Sequence, residues 1–181
     1  IKKYNGIAII DSNSTHSFTD LKNQIDEYAT DLKDVIIEND NILICSDYNF
    51  YSISLFIYLS SLKLNIIPVV KTTKKEIDDK ILESKPSKVI YLNSKGKISL
   101  QIPNTDIEKT KILVPKNDTG LKLFSSGTTG KPKVMVQNLT KLISSIPIPK
   151  KQKSLIFLIF LMFDHIGGIN TLLRCLINGS P

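Results

Sequence analysis

Two spacings of apolar residues divide the chain. Gly6 to Asp11 is a short apolar run and predicts a first strand. Leu21, Ile25, Tyr28, Ala29 and Leu32 then recur at helical spacing, and Ser17-Phe18-Thr19-Asp20 before them has the spacing of a capping box. His16 falls just ahead of that cap, as a loop residue without a chemical role. Ile42 to Cys45 predicts a short buried strand, followed by a helix from about Phe50 to Leu62 that Asp47 or Asn49 can cap. Ile66 to Val70 is the next strand. Glu76 to Ser84 is a short helix with Ile77, Ile81 and Leu82 inward, and Val89 to Leu92 is a further strand.

Strands and helices alternating at these intervals argue for right-handed βαβ units around a parallel sheet. The fold class expected is α/β, a parallel-rich layered sheet with flanking helices. Lys95 to Ile102 predicts an extended arm, Pro103 to Lys111 a polar linker, and Ile112 to Val114 a strand stopped by Pro115. Asn117 to Gly120 is a turn. Two subdomains, 1–115 and 116–181, are compatible with this layout. The apolar stretch Leu155 to Phe163 predicts a fully buried strand, and Ile169 to Ile177 a helix with Leu172, Leu173 and Leu176 on one side.

The densest chemistry is Ser125-Ser126-Gly127-Thr128-Thr129-Gly130-Lys131-Pro132-Lys133. Leu121, Leu123 and Phe124 lead in, and Val134, Met135 and Val136 lead out, so the stretch predicts a polar loop between two short strands. Glycines let successive amides point into one concavity, while hydroxyls and lysines add donors and positive charge, which is the chemistry of phosphate binding. A solvated hairpin tip is the plain alternative, since Gly, Ser and Thr are common turn formers. A Walker A loop is excluded: Pro132 follows Gly130-Lys131, and Ser125 stands where its first glycine belongs. The sequence also lacks Gly-x-Gly-x-x-Gly. A second constellation, Phe163-Asp164-His165-Ile166-Gly167-Gly168-Ile169, falls where a strand gives way to a helix. There His165 can touch a ligand at a sheet edge, or His165 and Asp164 can simply cap the helix.

Ser126 to Lys133 resembles, without a gap, the Ser-Gly-Thr-Thr-Gly-x-Pro-Lys signature of the acyl-adenylate-forming (AMP-forming) ligases, such as acyl-CoA synthetases and adenylation domains. The segment around His165 is similar to their "Asp-His-x-Gly-Gly". Ser17 to Leu21 is similar to their "Thr-Tyr-x-x-Leu". Leu64 to Val69 follows their "Leu-x-x-Gly-x-x-x-x-Pro" turn, with Asn65 in place of the glycine. The resemblance implies the amino-terminal part of the large domain of such a ligase, with residues 125–131 and Lys133 on the ATP phosphates, Thr128 at Mg²⁺, and His165 and Lys133 in catalysis. It also implies a carboxylate substrate, often a fatty acid, and CoA or the phosphopantetheine of an acyl carrier protein as thiol acceptor. The family's "Tyr-Gly-x-Thr-Glu" and "Thr-Gly-Asp" segments and its carboxy-terminal lysine are not in these 181 residues. An inactive fragment of a ligase is therefore expected. The alternative is a truncated homologue acting as a non-catalytic binding or regulatory module.

Composition adjusts this picture only slightly. A net charge of +7 could indicate nucleic-acid binding, but the lysines are scattered and no aromatic-interleaved basic stripe occurs, so no nucleic acid is expected. Cys45 and Cys175 alone make neither a disulfide framework nor a zinc site, which predicts a reducing, cytoplasmic setting. No apolar run reaches the ~20 residues of a membrane helix. Both termini read as cut.

Overall fold

A computed structural model describes residues 4–12, 14–104, 114–115, 117–126, 132–148 and 155–181. Its centre is a six-stranded sheet built from β3 (Asn41–Ser46), β4 (Asn65–Val70), β5 (Lys88–Leu92), β6 (Ile98–Gln101), β7 (Gly120–Ser126) and β8 (Pro132–Asn138). The spatial order is β6-β5-β3-β4-β7-β8. β5, β3, β4 and β7 run parallel, and β6 and β8 close the two edges antiparallel. A separate hairpin joins β1 (Ile7–Ile10) to β2 (Thr15–Ser17).

The helices are α1 (Phe18–Leu32), α2 (Phe50–Ser60), α3 (Lys74–Ser84), α4 (Leu139–Ser144) and α5 (Ile166–Asn178). Local chemistry fixes their starts. Ser17 accepts from the Asp20 amide while the Asp20 carboxylate accepts from the Ser17 amide, the expected capping box. Asn49, not Asp47, caps α2 in the same reciprocal way with Ser52. Thr73 caps α3, which therefore begins two residues before Glu76. Asn138 caps α4, a helix the apolar pattern did not suggest.

Residues from both sides of the chain fill two clusters. The larger joins α1, α2 and α5 to the sheet through Leu21, Phe56, Leu59, Ile44, Leu121, Leu123, Phe163 and Ile169. The smaller lies under α3 and holds Leu43, Cys45, Ile67, Val69 and Val89, with Ile77, Ile81 and Phe124 packed against it. α3 and α5 thus cover different faces. The lower sheet edge is tied by polar side chains: Asp40 accepts from Ser87 Oγ at 2.8 Å and Lys88 Nζ at 2.6 Å. Asn65 donates to Asn41 Oδ1 at 3.0 Å. Among the described residues no helix is long and apolar enough to cross a membrane.

Several expectations are corrected. Residues 155–160 form no strand: the one backbone bond they make among the described residues is Phe157 N–H to Pro181 C=O, 2.9 Å. Exposure nevertheless alternates, 73% at Ile156, 86% at Leu158 and 81% at Phe160 against 45% at Phe157 and 0% at Phe163. The segment has a strand's alternation without the neighbouring strand that a ladder needs. The arm expected at Lys95–Ile102 is extended over Ile98–Gln101 as edge strand β6, after a turn with Gly96 at φ 79°. Leu82 points outward, whereas Ile77 and Ile81 of α3 pack against the sheet. His16 lies in β2 and stacks on Phe50 at 3.7 Å, so it has a packing role. The linker at 105–111, residues 112–113 of the expected strand, and 149–154 lie outside the described residues.

Candidate functional site

β7 and β8 pair continuously from Gly120↔Asn138 to Ser126↔Pro132. The signature is therefore carried on a hairpin, with a strand, and not a helix, resuming at Pro132. Gly127, Thr128, Thr129, Gly130 and Lys131 lie outside the described residues. What is defined is the neck of the loop: Ser125 sits opposite Lys133, and Ser125 Oγ donates to the Lys133 carbonyl at 3.4 Å. The Lys133 side chain is exposed and has no ion-pair partner among the described residues.

Strand alternation shows which face the neck presents. In an antiparallel pair, directly opposed residues point to the same side. Leu121, Leu123 and Ser125 therefore share a face with Lys133, and Leu121 and Leu123 belong to the cluster that contains Phe163 and Ile169. Those two residues bracket His165. Leu121 and Leu123, on the Ser125–Lys133 face, thus pack in the same cluster as Phe163 and Ile169, while Asp164, next to His165, reaches Lys80 of α3 on the other face.

The hairpin also leaves its neighbour. β4 and β7 pair only at Asn65↔Gly120 and Ile66↔Leu121, whereas β7 continues to Ser126 beside β8. The carboxyl ends of β4 and β7 are therefore not laddered to each other. Crevices at carboxyl ends of parallel strands are where open α/β sheets bind ligands.

His165 precedes α5, which starts at Ile166, three residues before the expected Ile169. Its side chain makes no cap hydrogen bond, which removes the capping alternative for the imidazole. The ring is 64% exposed, and Nε2 lies 3.8 Å from Asp164 Oδ1. Gly168 makes the turn possible: a Cβ there would sit 2.6 Å from the carbonyl oxygens of both Leu161 and Met162. The paired glycines therefore let backbone approach backbone at this corner.

Sequence reasoning missed two lysines beside the site. Lys122, on β7, is 6% exposed, and burial pushes its ammonium below the ordinary lysine value. Lys80, on α3, places Nζ 3.4 Å from Asp164 Oδ2 and 5.5 Å from the centre of the Phe124 ring. One signal was readable: Lys80 lies three residues after Ile77 and directly before Ile81, at the border of the apolar stripe. A cavity of about 580 Å³ is lined by Ile9, Ile53, Phe157, Leu172 and Leu176 among others, and, among the described residues, by none in the two motifs.

The fold is similar to that of the amino-terminal part of several solved adenylation domains and CoA synthetases. The chain is similar to the N-terminal subdomain of Klebsiella oxytoca NpsA, solved with 3-hydroxyanthranilyl-AMSN (TM-score 0.73, 15% identity, 97% of this chain and 48% of that one). It is similar to Bacillus subtilis O-succinylbenzoate Coenzyme A synthetase (MenE) in complex with AMP (TM-score 0.64, 17% identity, 96% and 50%). It is also similar to NpsA-ThdA, an artificially fused adenylation–PCP di-domain from Klebsiella oxytoca (TM-score 0.73, 16% identity, 97% and 38%). The chain spans half or less of the length of each. No protein-family model matches the chain, and no curated protein matches it.

Proposed function

We propose that this chain is the phosphate-loop portion of a ligase that activates a carboxylate with ATP and passes the acyl group to a thiol of CoA or of a carrier protein. The observation that carries the reading is the β7–β8 hairpin, whose neck pairs Ser125 with Lys133 and Ser126 with Pro132 at one end of the sheet. The fold shared with NpsA and MenE supports it.

In this reading one carboxylate oxygen attacks the α-phosphorus of ATP. The bond from that phosphorus to the bridging oxygen breaks, and pyrophosphate leaves with the electron pair. Charge grows on the leaving group, so donors aimed at it lower the barrier. Ser125, Ser126, Thr128, Thr129 and the amides of Gly127 and Gly130 supply neutral donors; Lys131 and Lys133 supply charge. His165 borders the acyl side. In the second half-reaction the thiol sulfur attacks the acyl carbonyl and AMP departs. NpsA artificially fused to a PCP domain and the Coenzyme A synthetase MenE share the fold, so both thiols belong to the proposal.

Thr128, the proposed neighbour of a phosphate-bound Mg²⁺, lies outside the described residues.

The test is carboxylate-dependent ATP–pyrophosphate exchange across a panel of acids, run on residues 1–181 and on any longer natural polypeptide containing them. The longer protein is expected to exchange and the 181-residue chain to exchange little or not at all. Robust exchange by the short chain would overturn its reading as an incomplete enzyme. No exchange by the longer protein with any acid would overturn the ligase.

A further inference from the structure

Lys80 lies in Lys74-Lys75-Glu76-Ile77-Asp78-Asp79-Lys80, a run that resembles an ordinary solvated helix face. The structure takes it out of that category. The Lys80 and Asp164 side chains are 18% and 17% exposed, 84 positions apart in sequence, and joined at 3.4 Å. They connect α3, over one face of the sheet, to the start of α5, over the other.

The two Asp164 oxygens divide their contacts. Oδ2 faces Lys80, and Oδ1 faces the His165 ring. The Lys80 ammonium also lies over the ring of Phe124, two residues before the end of the strand that carries the phosphate loop. One cation therefore touches the supports of both motifs. Among the described residues, Asp164 is the one charged side chain within ion-pair distance of His165, and Lys80 and His165 are the two groups that reach Asp164.

We propose that Lys80 is a positioning residue: it holds the Asp164 carboxylate between α3 and α5, and through Asp164 sets the orientation and the charge environment of His165. This rests on the reading of residues 125–133 and His165 as one site. Lys80 touches no reacting atom. With Lys80 in place the carboxylate is neutralised from one side, and its field on His165 is reduced. Without Lys80, the carboxylate is no longer held from the α3 side, and the imidazole loses its fixed neighbour.

The chain has only two histidines, His16 and His165, so their ring protons can be followed separately by NMR at one fixed pH. Relative to wild type, Lys80→Met is expected to displace and broaden the His165 ring resonances, because the carboxylate beside the ring is no longer held. The His16 resonances should stay in place, and Lys80→Arg should restore the wild-type His165 spectrum. Asp164→Asn should displace the His165 resonances as well. Undisplaced His165 resonances in folded Lys80→Met overturn the proposal. If that variant does not fold, Lys80→Gln makes the same comparison. If neither folds, undisplaced His165 resonances in Asp164→Asn overturn it.

In a polypeptide active in ATP–pyrophosphate exchange, Lys80→Met should raise the carboxylate KM at least fivefold with a smaller effect on kcat, and Lys80→Arg should reverse this. An equal loss in both parameters that Lys80→Arg does not reverse would contradict positioning. Absence of exchange in wild type would remove the ligase reading, while the NMR comparison would still decide whether Lys80 controls His165.

Discussion

Phe163→Ala should cost far more than its place beside an exposed segment suggests. The seven residues before position 163 are largely solvated, yet Phe163 itself is 0% exposed. Its ring stacks on Tyr48 at 5.3 Å and meets Phe56 edge-on at 5.1 Å. Removing a buried phenyl group loses its transfer energy and leaves a cavity, typically about 3–5 kcal/mol, with the aromatic pairs included in that sum. In urea, with a slope of about 2 kcal/mol/M, the midpoint should fall by roughly 1.5–2.5 M. Phe163→Leu should lose less than half as much, since it keeps most of the volume. Because His165 follows two residues later, Phe163→Ala should also broaden the His165 ring resonances. A midpoint shift under about 0.5 M would refute the reasoning, for it would mean that Phe163 does not anchor this corner to the core.

Burial raises the phenol pKa of both Tyr28 and Tyr48 above the ordinary value of 10.0. Both stay protonated in the fold while the unfolded chain ionises, so stability is full below pH ~10 and is lost progressively as pH rises towards the raised native values. Tyrosinate absorbance from these two should therefore appear only together with loss of the far-ultraviolet dichroism; ionisation near pH 10 with the fold intact would contradict their burial. Separately, Leu158→Lys with Phe160→Lys should weaken binding of an apolar dye and change stability by no more than about 0.5 kcal/mol each. Unchanged dye binding would show that this stretch is covered in solution.

The parallel core was legible because its strands are short apolar runs between helices that carry their own caps. Ser17 with Asp20 declares the start of α1 in sequence alone, and the structure places both hydrogen bonds there. The hairpin around the loop was legible for a similar reason: apolar residues flank a run that cannot continue as a helix past Pro132. Leu155 to Phe163 was misjudged because an apolar run specifies burial but not the partner that provides it. Among the described residues Phe163 finds that partner fully and Ile159 in part. α4 escaped notice because six residues are too few to show a helical period, and its signal is the Asn138 cap. Lys80 was hidden among charged neighbours, since an ion pair spanning 84 positions exists only once α3 and α5 are placed.

The central claim, that residues 125–133 form a phosphate site, is tested most directly by titrating pyrophosphate into this chain by calorimetry, beside Lys133→Ala and Gly130→Val. Lys133 stands exposed at the neck of the hairpin, so its removal should take away a charge-assisted contact without disturbing the core. Such a contact is worth about 1.5–3 kcal/mol, which corresponds to roughly ten- to a hundredfold in Kd. Wild type should bind weakly and saturably, Lys133→Ala should weaken binding by that factor, and Gly130→Val should abolish it while the urea midpoint stays unchanged. Equal affinity in all three proteins, or no saturable binding by wild type, would contradict the claim.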